Sequence, residues 1–145
     1  MVRITNTIDI DASAMRVYST LRALDAYSSW LGHSTVYRGT EERTPQAEGS
    51  LSYEDTTMVG RMRGEIVEDV PEHVLQFHQS KPNGSLDAVI RYELEATGAG
   101  THLTRFGDLT THGILRIVQP ILLRMAAAES ERTMTALKRH LERGA

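Results

Sequence analysis

The sequence predicts an α+β fold in which a curved antiparallel sheet of about seven strands wraps around one long C-terminal helix. Three observations lead there. Segments of alternating polarity run from Val2 to Leu109, separated by short turn signals such as Pro71-Glu72, Lys81-Pro82-Asn83-Gly84 and Gly98-Ala99-Gly100. Strands joined by turns this short pair antiparallel, with one face packed and one wet. From about Thr111 to Arg143 the apolar residues recur at helical spacing instead.

The elements follow in order. Val2, Ile4, Asn6, Ile8 and Ile10 share one parity against Arg3, Thr5, Thr7 and Asp9, as in a half-buried strand. Asp11 is expected to cap a helix whose Ala14, Val17, Tyr18 and Leu21 share a face. A second short helix is expected from Leu24 to Leu31, with Leu24, Tyr27, Trp30 and Leu31 on one side. Strands are then expected over His33–Arg43, ending near Thr44-Pro45, and over Gly49–Met58, Gly60–Val70, Val74–Ser80, Ser85–Ala96 and Thr101–Leu109. Alternation is cleanest where Leu86, Ala88, Ile90, Tyr92 and Leu94 oppose Asp87, Val89, Arg91, Glu93 and Glu95. In the final helix Ile114, Val118, Ile121 and Met125 form one stripe. Ala126, Ser130, Met134, Leu137 and Leu141 form another, rotated from it. Pro120 should kink this helix or open its first turns.

Composition excludes several classes of function. The 145 residues suit one domain spanning 1–145. With no cysteine there is no disulfide, thiolate metal site or cysteine nucleophile. A net charge of −3 argues against a nucleic-acid partner. There is no apolar run long enough for a membrane span and no apolar signal at the N-terminus, so a cytoplasmic protein without stable membrane insertion is expected. No phosphate loop, dinucleotide fingerprint or G-x-S-x-G elbow occurs. No two histidines have the spacing of a metal site, and no cofactor or metal is expected.

A twisted sheet curls around a covering helix and meets it along a line. The space between them is then filled by large side chains or left hollow. Aromatic residues make up only 6% of the chain. A cavity is therefore expected, of about 300–1,000 Å³ as in ordinary ligand pockets. A collapsed core without a pocket is the rival reading.

The run Ile8-Asp9-Ile10-Asp11-Ala12-Ser13 leads into Val17-Tyr18 and Leu21, with Trp30 after a short second helix. Gly49-Ser50, Val67-Glu68-Asp69-Val70-Pro71, Gly100-Thr101-His102-Leu103-Thr104 and the helical end from Gln119-Pro120-Ile121-Leu122-Leu123-Arg124 to Ala136-Leu137-Lys138 complete a pattern. It resembles the START-like, or Bet v 1-like (SRPBCC), superfamily of helix-grip folds. Within that superfamily it is similar to the polyketide cyclase/dehydratase and lipid-transport group. The resemblance covers essentially the whole chain and specifies fold better than function. It implies a small hydrophobic ligand (lipid, polyketide or aromatic) bound between sheet and C-terminal helix by a carrier or sensor. A polyketide cyclase/dehydratase-like enzyme using the same cavity is the alternative, so whether the chain is an enzyme stays open. A cochaperone-like protein-interaction module is the second alternative.

If a pocket exists, the inward strand parity lines it with Tyr53, Met62, Ile66, Phe77, Ile90 and Tyr92, and the helices add Trp30, Ile114, Val118 and Met125. Each also reads as an ordinary core residue. The phenols of Tyr53 and Tyr92 would need hydrogen-bond partners, which a ligand can supply. Arg105 shares the parity of Thr101 and Leu103. A buried guanidinium requires a carboxylate or an anionic ligand, so Arg105 is a candidate clamp for a carboxylate or enolate. Glu54, Asp55 and Glu65 are partners within the chain, and a strand-end position reaching solvent is the bland alternative. His33 and His112 are candidate general acids or bases near loop mouths. No catalytic residue is assigned.

Charge is uneven, with ten cations against sixteen anions in residues 1–111 and six against three in 112–145. Arg116 and Arg124 interrupt a broad apolar surface from Ile114 to Met125. A homodimer or transient membrane contact would cover it. The preferred expectation is that a bent helix buries different faces before and after Pro120.

Overall fold

The computed structural model describes residues 1–34, 37–42, 52–58 and 60–143. Thr44-Pro45, Gly49-Ser50 and the start of the strand expected from Gly49 lie outside them. The described elements are β1 (Val2–Ile10), α1 (Ala14–Arg22), a 3₁₀ helix (Leu24–Ser29), β2 (Tyr37–Glu42), β3 (Ser52–Thr57), β4 (Gly60–Val70), β5 (Val74–Ser80), β6 (Leu86–Thr97), β7 (Gly100–Thr111), α2 (Ile114–Ile117) and α3 (Gln119–Arg143). One seven-stranded sheet has the order β1-β7-β6-β5-β4-β3-β2, with every pair antiparallel. The meander is thus closed by β1, which pairs with the distant β7 over its full length, from Val2 opposite Leu109 to Ile10 opposite Thr101. This curled sheet gripping a long C-terminal helix is the expected architecture.

Local departures have clear causes. Ser13, not Asp11, caps α1, its hydroxyl accepting from the Arg16 N–H at 3.2 Å. Asp11 instead gives its backbone N–H to Glu142 at the end of α3. The second helix is of 3₁₀ type and stops at Ser29, so Trp30 caps its end. β2 is described from Tyr37 rather than His33: His33 and Ser34 are not in a strand, and the Ser34 N–H donates to the Tyr37 carbonyl.

The inward parity of each strand builds the core. Tyr53, Met62, Leu75, Phe77, Ala88, Tyr92, Leu94 and Leu103 are buried, together with Val17, Leu21 and Leu24 from the first helices. Tyr53 stands opposite Gly64 in the β3–β4 register, and its ring lies across that glycine. A Cβ on Gly64 would come within 2.2 Å of the Tyr53 Cζ. Only a residue without a side chain leaves room for the ring.

α3 packs chiefly on β1 and buries Ser130, Thr133, Met134, Leu137 and Leu141. The second expected stripe is therefore the buried one. The first is not: Ile114 and Ile121 are 79% and 62% exposed, and Val118 and Met125 are half-buried. The helix breaks at Val118, and Pro120 sits in the first turn of α3, where its missing N–H removes no helix hydrogen bond. The break does not turn the first stripe inward, which overturns the expectation of two buried faces around Pro120.

Candidate functional site

Between the concave sheet and the first half of α3 lies a cavity of about 220 Å³, partly open to solvent. It is smaller than the expected range of about 300–1,000 Å³ for ordinary ligand pockets. Aromatic and aliphatic side chains dominate its wall, and a few polar groups interrupt them. Tyr53, Met62, Phe77, Ile90, Tyr92 and Met125 line it, as does Arg105. Four residues expected there do not. Trp30 is buried in the core beside the cavity wall, with its ring 5.0 Å from Tyr27, because the 3₁₀ helix ends before it. Ile66 packs against the core where a β-bulge follows it in β4. Ile114 projects outward, and Val118 occupies the helix break.

Arg105 forms one polar station. Its Nη1 donates to Ser130 Oγ at 2.8 Å, and Ser130 in turn donates to Asn6 Oδ1 at 2.5 Å. A guanidinium is donor-only, so the serine must accept there and pass its own proton on. Arg105 Nε donates to the Tyr92 hydroxyl at 3.2 Å, with the guanidinium 5.8 Å from the Tyr92 ring centre. No carboxylate pairs with Arg105 among the described residues. Glu54 pairs with Arg61. Arg105 Nη2 and the Tyr92 hydroxyl proton have no protein acceptor among the described residues. Together they offer donors to a ligand oxygen.

Asp55 forms the second station. The alternation that turns Tyr53 inward also turns Asp55 inward, two residues along β3. Sequence alone suggests Asp55 only as a partner for Arg105. It accepts instead from Thr40 Oγ1 at 2.7 Å, and Thr40 lies 2.6 Å from the Tyr37 hydroxyl. Since the Thr40 proton goes to an ionised Asp55, Tyr37 must donate to Thr40, so the relay runs Tyr37 to Thr40 to Asp55. Burial pushes the Asp55 carboxyl up to about 6, against the Thr40 hydrogen bond that lowers it. The second carboxyl oxygen has no protein donor among the described residues.

Tyr53 lies within electrostatic reach of both stations. Burial raises its phenol well above the usual range, the Asp55 charge adds to this and Arg105 opposes it. Its hydroxyl donates to Gln79 Oε1 at 2.7 Å, so a protein group fills the role expected of a ligand. Neither His33 nor His112 lines the cavity. His33 packs edge-on against Tyr37 at 5.9 Å, and exposed His112 donates its backbone N–H to Ser85. The acid–base candidate of this wall is therefore a carboxyl, missed because a lone aspartate in a strand carries no motif.

Solved structures resemble the chain along its whole length at low identity. The Zhui aromatase/cyclase of Streptomyces sp. R1128 aligns with a TM-score of 0.82 at 14% identity, over 98% of this chain and 94% of that one. The protein TTHA0849 of Thermus thermophilus gives 0.78 at 14%, covering 99% of both chains. A START superfamily protein of Mycobacterium smegmatis gives 0.74 at 14%, again over 99% of both. These likenesses establish the fold. No protein of curated function matches the sequence. The family described as "Polyketide cyclase / dehydrase and lipid transport" matches residues 1–142, and the chain belongs to that family.

Proposed function

We propose that the protein binds a small, largely apolar aromatic ligand in the cavity, as a carrier or sensor. The observation that supports this reading is the cavity itself, an aromatic hollow with a donor station at Arg105–Tyr92 and an acceptor station at Asp55. Its volume of about 220 Å³ lies between that of a benzene-sized site, about 150 Å³, and the lower end of drug-sized pockets, about 300 Å³. A molecule of one or two rings suits it better than a long acyl chain. The ligand would carry an oxygen acceptor at one end and a hydroxyl or amine donor at the other. Desolvation provides the attraction, at about 25 cal/mol per Å² of apolar surface buried, before the ordering terms are subtracted.

Native mass spectrometry of the purified protein and displacement of a cavity-bound fluorescent dye by hydroxylated aromatic ketones and acids test this. Displacement by these compounds and not by long-chain fatty acids is expected. No displaceable ligand across such a panel would sink the reading.

A second reading has a specific observation in its favour. Asp55, pushed up to about 6, shares a wall with Arg105 and Tyr92, so one cavity offers a proton acceptor and a carbonyl-polarising cation. That is the equipment for enolisation and dehydration of a poly-β-ketone, as in a polyketide cyclase/dehydratase. Turnover of a short β-polyketone that follows Asp55 ionisation and disappears in Asp55→Asn would establish it.

A further inference from the structure

The segment that walls the cavity has an apolar outer side as well. Gln119, Leu122, Leu123 and Ala126 face the cavity. On the opposite side Ile114, Ile117 and Ile121 are 79%, 80% and 62% exposed, following one another at three- and four-residue spacing across the α2–α3 break. Three exposed isoleucines this close together form an apolar patch of the kind that marks interaction sites, unlike singly scattered surface residues. The surrounding charge selects the partner. Between Asp108 and Glu129 the chain has no acid and carries His112, Arg116 and Arg124, all exposed, although the whole chain is net negative. On the two strands before this segment, Asp108 is paired with Arg3 at 2.7 Å and Asp87 is hydrogen-bonded to His78 at 2.7 Å.

We propose that this face docks peripherally on an anionic lipid bilayer, with Ile114, Ile117 and Ile121 in the interface and Arg116 and Arg124 against acidic headgroups. A short helical face with isoleucine at the front and cations beside it is the arrangement that lies in, without crossing, the headgroup boundary. No helix of the described residues is long and apolar enough to cross. A second copy of the chain is the poorer occupant. A two-fold interface would set these arginines against a face with the same charges and no acid to meet them. Docked this way, the cavity wall would lie one helix thickness from the bilayer. The proposal does not depend on which ligand fills the cavity.

The test is co-sedimentation with phosphatidylcholine vesicles, with and without a quarter of phosphatidylglycerol. Binding to the anionic vesicles is expected, weakened by raised salt. Ile117→Asp should lower the partition about tenfold or more, and Arg116→Gln with Arg124→Gln should remove the preference for phosphatidylglycerol. These side chains are exposed and outside the cavity wall, so circular dichroism, melting temperature and dye uptake should be unchanged, separating docking from folding and ligand binding. Background partition to both vesicle types, or partition indifferent to these substitutions, overturns the proposal. So does concentration-dependent dimerisation abolished by Ile117→Asp in a protein that ignores vesicles.

Discussion

Arg105 on β7 and Ser130 on α3 are joined by a 2.8 Å hydrogen bond, and it is through this bond that the cavity's cation is anchored to the gripping helix. The same serine donates to Asn6 on β1, so one hydroxyl links three elements. Ser130 is 1% exposed. Ser130→Ala leaves Arg105 Nη1 and Asn6 Oδ1 without their partner, and a loss of roughly 1–3 kcal/mol in urea unfolding is expected. A double-mutant cycle with Asn6→Ala should give a coupling of about 0.5 kcal/mol or more. Additive effects would mean that the three-way link contributes nothing.

Arg105 should govern ligand polarity more than ligand capacity. Charge-assisted hydrogen bonds are worth about 1.5–3 kcal/mol, or roughly tenfold to a hundredfold in affinity. Arg105→Met is expected to weaken an anionic dye by that factor and leave a neutral dye of similar size nearly unaffected. Titration of both dyes checks this, and equal weakening would point to a collapsed cavity.

Asp55 makes stability fall as pH rises. Its folded-state carboxyl titrates near 6, above the ordinary value of 3.8, so between those pH values the folded protein holds the proton more firmly than the unfolded chain. Stability attributable to this group is full below about pH 4 and is lost through about pH 6. The loss at pH 7 is on the order of 3 kcal/mol at most. Asp55→Asn, which keeps an acceptor for Thr40, should therefore stabilise the protein at pH 7.5 and have little effect at pH 4. Urea unfolding at the two pH values decides, and a pH-independent difference would place the effect elsewhere.

Gly64 shapes the cavity by what it lacks. Gly64→Ala would drive a methyl into the Tyr53 ring, which must then move. A destabilisation of about 1–3 kcal/mol is expected, with reduced dye capacity as the ring shifts toward the hollow. Combining it with Tyr53→Leu should relieve much of the strain, and calorimetry of the two single variants and the double variant measures this.

Some of this was legible in the residue order because it is local. A period of two along a strand decides which side chains share a face, so Tyr53, Met62, Phe77, Ile90, Tyr92 and Arg105 could be assigned inward before any strand was placed. The same parity also pointed Asp55 inward, but nothing in a lone aspartate says whether an arginine or a threonine waits opposite. Trp30 and Ile114 failed for a related reason. Periodicity continued past a helix end that the chain actually takes, at Ser29 and at the Val118 break.

The order of the elements, the faces of the strands and the family resemblance can all be read from the residue order, because alternation and turn chemistry act over a few residues. Folding in three dimensions settles the rest: β1 closes on β7, Asp55 bonds Thr40, Arg105 bonds Ser130, and Ile114, Ile117 and Ile121 stay in the open. Those outcomes depend on register and packing between segments far apart in the chain, where a shift of one residue turns a side chain to the opposite face.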